Sequence, residues 1–163
     1  MWSVGRLRTW LYTVWGLLPS KGKEVLVFLG APKVTVGVSA VIPDSQGRIL
    51  LVHHTYRYPA WGFPGGLVRR DELATAGLRR ELREELGLTA TIGALLHADH
   101  EPRRHLLSLH YRVSVTGTLC HGVEIDQHRY VTLEELPTLV GWPVPVWLRE
   151  AAFSDIGSSS RAG

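Results

Sequence analysis

The stretch that most restricts the fold runs from Gly65 to Leu88. A glycine pair is followed by a segment of helical periodicity with two opposed faces. Leu78, Leu82 and Leu86 recur every fourth residue, so they form one apolar stripe that must be buried. Glu81, Glu84 and Glu85 fall within an arc of ~100° on a neighbouring face. Arg79 and Arg83 point away from both, toward solvent. Asp71 is placed to cap the helix and Gly87 to stop it. Gly77, one turn before Glu81, costs ~1 kcal/mol relative to alanine inside a helix. It leaves room for a ligand or a closely packed loop. The plain alternative is a solvated helix held by (i, i+4) ion pairs worth ~0.2–0.5 kcal/mol each. Three like charges on one face repel one another, however. They suit hard divalent cations such as Mg²⁺ or Mn²⁺, which take oxygen ligands.

A sheet is available to receive the leucine stripe. Residues 34–42 (VTVGVSAVI) and 49–53 (ILLVH) are β-branched or apolar runs separated by the turn cluster PDSQG. They read as a hairpin. Residues 89–96 return to strand. Residues 105–116 alternate, with Leu107, Leu109, Tyr111, Val113 and Val115 on one face. Residues 128–137 read as a short strand and an acidic turn, and residues 145–153 as a last helix. Strands mixed with two or three helices imply an α/β arrangement with one sheet core. The 163 residues suit a single domain.

The N-terminal segment stands apart. Leu7, Leu11, Val14 and Leu18 recur at helical spacing, with Trp10 beside them, and predict an amphipathic helix ending near Pro19. The apolar run is too short to span a bilayer. Such a helix packs on its own domain, on a second copy of the chain, or on a membrane surface with Arg6 and Arg8 near phosphates. SKGKEV (20–25) reads as a linker. The partition expected is residues 1–24 for helix and linker, 25–153 for the main domain and 154–163 for a disordered tail. One cysteine, Cys120, excludes an intrachain disulfide and points to a reduced, cytoplasmic setting. The formal charge of +3 favours anionic partners without marking a nucleic-acid binder. The eight histidines, among them His53-His54 and His97/His100, lack a zinc-like spacing.

Gly66, Glu72 and the run Arg80-Glu81-Leu82-Arg83-Glu84-Glu85-Leu86-Gly87-Leu88 meet every defined position of G-x5-E-x7-R-E-U-x-E-E-x-G-U, with U aliphatic. This resembles the Nudix box. Seven fixed residues at ~6% each make a chance match on the order of once in 10⁹ windows. WGFPGG just before it resembles the family's usual entry to the box, and the likeness extends over about residues 34–150. The resemblance implies an α/β/α sandwich with a mixed central sheet. It implies hydrolysis of a nucleoside diphosphate linked to another moiety, such as ADP-ribose, a nucleotide sugar or a (d)NTP-like molecule, with Mg²⁺ or Mn²⁺.

Carried onto this chain, Glu81, Glu84 and Glu85 become the metal ligands, with the Gly65 carbonyl joining them. Glu84 is favoured for orienting or deprotonating the attacking water, and Arg80 for orienting the carboxylates. Glu72 fixes the loop. Glu124, with Asp126 behind it, is the candidate for a further acid. Arg57, Tyr58 and Trp61, with Tyr56, either stack on a base and meet a phosphate or pack their loop. Arg103 and Arg104 are phosphate contacts or a solvated turn. Pro102, 14 residues past the box, resembles a weak marker of ADP-ribose-cleaving members.

Two other readings compete. One is a binding or regulatory module that holds a nucleotide without turnover, against which the intact box argues. The other is an isopentenyl diphosphate isomerase, which needs a cysteine. Cys120, in a loop, is the one available.

Overall fold

The structure is a computed structural model that describes residues 12–31 and 33–153. The expected helix positions Arg6, Leu7, Arg8, Trp10 and Leu11, and the tail 154–163, lie outside the described residues. The chain divides into two compact units, with the boundary between Lys33 and Val34. In the first, residues 12–17 are helical and Pro19 interrupts them. The stretch read as a linker is instead the start of helix α1, Ser20–Gly30. Lys21, Gly22 and Lys23 look like linker composition, yet the apolar run behind them carries the helix on. No described helix is long and apolar enough to cross a membrane.

The second unit holds the chemistry. Its elements are β1 (Thr35–Val41), β2 (Ile49–His54), β3 (Trp61–Gly62), β4 (Gly65–Leu67), α2 (Ala74–Leu86), β5 (Thr89–Glu101), β6 (Leu106–Thr116), β7 (Ile125–Val131), α3 (Leu136–Val140) and α4 (Val146–Phe153). A 3₁₀ turn, Pro102–Arg104, joins β5 to β6. Four strands form a mixed sheet in the order β4-β1-β6-β5, and three form an antiparallel sheet in the order β3-β2-β7. β1 runs parallel to β6 and antiparallel to β4.

β1 and β2 therefore do not make the expected hairpin. Only a bridge between Pro43 and Ile49 and the hydrogen bond from the Leu50 N–H to the Ile42 carbonyl link them. Asp44 closes the turn between them by accepting from the Gln46 and Arg48 amides. Beyond that turn both edges of each strand are taken by other partners.

The two strands are buried on both faces, as their unbroken apolar runs require. Val38, Ala40, Ile42, Leu50 and Val52 join Leu78, Leu82 and Leu86 of α2 in one core. Val41, Ile49 and Leu51 point the other way, to Leu136, Val140 and Leu148 of α3 and α4. The layers are helix, sheet and helix. The three α2 leucines have no solvent exposure at all. Each contributes about 1.5–3 kcal/mol by leaving water. This burial fixes the rotation of α2 and, with it, the direction of the glutamates.

Candidate active site

The helix carrying the glutamates ends where the sequence requires. Gly87 adopts φ 68°, and its N–H bonds back to the Arg83 and Leu82 carbonyls. The start differs from expectation. Leu73 is the N-cap and no side chain caps it. Asp71 lies in the preceding turn, while its neighbour Glu72 is recruited elsewhere. The Glu72 carboxylate accepts from the Arg69 amide and, through both oxygens, from Arg80 at 2.9 Å each. These bonds hold its pKa down to about 2. Gly77 serves this packing, since a Cβ there would meet the Glu72 carboxylate at 3.0 Å.

Arg80 is the hub of the site. Besides Glu72, its guanidinium donates to Glu81 at 2.7 Å, to Glu84 at 3.2 Å and to the Leu67 carbonyl. These partners raise its own pKa, Glu72 most of all. Glu84 is the most exposed of the three box glutamates and also faces Arg69 at 3.6 Å.

Glu81 and Glu85, one turn apart, both reach the glycine strand β4. The Glu85 carboxylate accepts from the Gly65 N–H at 2.9 Å. Gly65 has φ 139°, and a Cβ there would lie 2.2 Å from the Val38 carbonyl, so no other residue fits without moving β1. A Cβ on Gly66 would come within 2.6 Å of the Glu81 carboxyl carbon. The glycine pair thus brings the strand directly against the carboxylates.

Glu85 is only 6% exposed. Burial pushes its pKa up to about 7, and the charges of Glu81 and Glu124 push the same way. The Gly65 amide and the Arg57 charge offset part of this. The suggested further acid, Glu124, is therefore close enough to be felt by Glu85. It also faces the Tyr56 hydroxyl, whose pKa is raised by burial first and by Glu124 second. Asp126 is turned away and bonds His53 at 2.7 Å.

Among the described residues no three His, Cys, Asp or Glu side chains already converge closely enough to hold an ion. The reason is visible: Glu81 and Glu84 are turned to arginines, and Glu85 to a backbone amide.

Beside the carboxylates lies a cleft of ≈ 430 Å³. Arg57, Tyr58 and Trp61, singled out in the sequence, line it with Tyr56. Arg103 does not. Its neighbour Arg104 takes that place, paired loosely with Glu101 at 3.5 Å. The single-residue difference follows from the 3₁₀ turn, which sends successive side chains in different directions. The floor is a part of the mixed sheet that sequence reasoning passed over: Ser39 and Gly37 on β1 sit opposite His110 and Ser108 on β6. The signal was present, because the apolar alternation of β6 leaves Ser108 and His110 on the opposite face. Phe63 and Trp142 line the cleft as well. Cys120 is exposed near the end of α2, where its amide bonds the Leu86 carbonyl.

A glycine strand thus lies against one buried and one half-buried carboxylate, Glu85 and Glu81, with an aromatic and arginine-lined cleft beside it. Residues 33–150 match the NUDIX domain, and the chain belongs to that family. It is 41% identical over 69 residues to the CTP pyrophosphohydrolase of Escherichia coli (strain K12), covering 40% of this chain and 50% of that one. It is 29% identical over 111 residues to the ADP-ribose pyrophosphatase of Methanocaldococcus jannaschii, covering 64% and 65%. The chain spans about half the length of the curated relatives it matches. Among solved structures, a MutT NUDIX hydrolase from Burkholderia pseudomallei superposes with a TM-score of 0.60 at 28% identity, covering 74% of this chain and 96% of that one. The E. coli ORF135 protein gives 0.59 at 28%, covering 82% and 98%.

Proposed function

We propose that this chain hydrolyses the diphosphate linkage of a nucleoside diphosphate joined to a second moiety, using a divalent cation. The observation that carries the reading is Glu85. A fold that buries a carboxylate beside two more, and gives it no cationic side chain in hydrogen-bond contact, fits a bound cation there. Glu81, Glu84 and Glu85 would hold it, with the Gly65 carbonyl, and all are hard oxygen donors of the kind Mg²⁺ and Mn²⁺ take. When bound, the cation supplies charge neutralisation to the diphosphate and a more acidic water.

The remaining roles belong to the protein. Arg80 holds Glu81 and Glu84 in place and anchors both to Glu72. Glu84, the most exposed of the three, receives the proton of the attacking water. The water oxygen bonds to one phosphorus, the bridging P–O bond breaks, and the second phosphate leaves. Arg57 and Arg104 meet the diphosphate from the cleft side. Tyr58 and Trp61 take the base or the second moiety. The names of the relatives support phosphoanhydride substrates such as CTP or ADP-ribose, and Pro102 beside Arg104 adds weight to the latter. The lone cysteine supports a cytoplasmic setting. The exposed apolar side chains of the first unit, Leu17 and Leu29 among them, support a contact with a second copy or a membrane surface.

The test is a panel of ADP-ribose, nucleotide sugars, (d)NTPs including oxidised ones, and dinucleoside polyphosphates, incubated with Mg²⁺. Release of a nucleoside monophosphate or inorganic phosphate from at least one is expected. Measurable binding with no product from any of them would establish the module without turnover instead.

A further inference from the structure

Only two polar or charged side chains among the described residues are buried, Glu85 and His54, and they lie at the same site. Glu85 has a role in the reading above; His54 has none. We propose that His54 is a positioning residue, whose imidazole holds the Arg57 guanidinium in the cleft for the substrate diphosphate. The inference rests on the hydrolase reading.

His54 ends β2 and is 1% exposed. Its Nε2 is in hydrogen-bond contact with an Arg57 Nη2. Guanidinium only donates, so Nε2 must be the acceptor and the ring proton must sit on Nδ1. Burial, reinforced by the Arg57 charge, holds the imidazole pKa down to about 4, so the ring stays an acceptor at neutral pH.

Nδ1 is buried and has no partner. Most buried polar side-chain atoms have a partner, because a buried donor left alone weakens the fold. Among the described residues only His54 Nδ1 and His110 Nδ1 lack one, and His110 lines this cleft. His54 is tolerated with one nitrogen orphaned, while the other is committed to Arg57. The surroundings make the same provision. A Cβ on Gly62 would lie 2.6 Å from that Arg57 nitrogen, so the strand opposite β2 carries a glycine where the guanidinium rests. The Tyr56 ring stands edge-on to His54 at 5.9 Å. Thus held, Arg57 lines the cleft and its charge reaches Glu85. A planar fork fixed between carboxylates and cleft suits two oxygens of a diphosphate.

The experiment is steady-state kinetics on the best substrate of the panel, with Mg²⁺, for wild type, His54→Leu, His54→Gln, Arg57→Ala and the double variant His54→Leu/Arg57→Ala. Thermal melts run in parallel. His54→Leu is expected to fold with an unchanged or higher Tm and to raise KM by at least about tenfold, the weight of one charge-assisted hydrogen bond. Its kcat should change far less. His54→Gln, which keeps an acceptor, should recover most of the loss. In the Arg57→Ala background His54→Leu should cost nothing further. Wild-type KM in His54→Leu overturns the proposal, as does an equal cost with and without Arg57. A His54→Leu chain that does not fold overturns it too, by making the histidine structural. A wild type inactive on every substrate would instead defeat the hydrolase reading itself.

Discussion

Glu85→Gln in the metal-free protein separates a carboxylate kept for function from one kept for stability. Burial holds the Glu85 pKa at about 7 against an ordinary 4.5. At 1.36 kcal/mol per pKa unit, that gap corresponds to about 3 kcal/mol. The folded pKa lies above the unfolded one, so the folded state binds more protons between these values. Stability is therefore fully present below pH 4.5 and is lost as pH rises through 7. A neutral glutamine is isosteric, still accepts from the Gly65 amide and carries no such loss. Glu85→Gln should then be more stable than wild type at pH 8 by up to about 3 kcal/mol, less the cost of its added amide donor. For a chain of this size each kcal/mol moves Tm by ~2–4 °C, so a gain of several degrees is expected. At pH 4.5 the two melting temperatures should coincide. The assay is calorimetry at both pH values with EDTA throughout, plus the activity of each protein with Mg²⁺. Activity should fall while stability rises. A variant destabilised equally at both pH values would refute the reasoning, because Glu85 would then be paired and structural.

Two further predictions concern the same helix and strand. Glu84→Gln should lower kcat by about 10²–10⁴-fold with little change in Tm, as loss of a general base at an exposed position does; surviving turnover would remove Glu84 from that role. Gly66→Ala forces only the end of the Glu81 side chain to move, so calorimetry should show a near-native Tm while a Mg²⁺ titration of activity shifts to higher concentration. An unshifted titration would take Glu81 out of the ligand set.

Much of the helix was legible in sequence because helix physics is local. The leucine stripe, the shared glutamate face, the outward Arg79 and Arg83 and the stop at Gly87 all follow from a 3.6-residue period. What was misread depends on partners distant along the chain. β1 and β2 look like a hairpin from their turn, but β1 takes its parallel neighbour from β6, some 70 residues on. Asp71 looks like a cap, but the helix starts after Leu73 without a side-chain cap, and the neighbouring Glu72 is held by Arg80 and the Arg69 amide. Arg104 and Arg103 are equivalent as text and are sorted only by a 3₁₀ turn. His54 stands beside His53, and nothing in their order tells that one meets Asp126 at the surface while the other is sealed beneath Arg57. The cleft floor is assembled across two strands, so its polar face shows only once their register is known.

Hydrolysis, as proposed for this chain, adds water across a diphosphate. Hydrolysis of the preferred panel substrate in H₂¹⁸O with Mg²⁺, followed by mass spectrometry of both products, tests it most directly. One ¹⁸O is expected in a phosphate group of one product only, formed in step with turnover and slowed in Glu84→Gln by the same factor as kcat. Bound substrate recovered intact and unlabelled, from a folded wild-type chain, would contradict it.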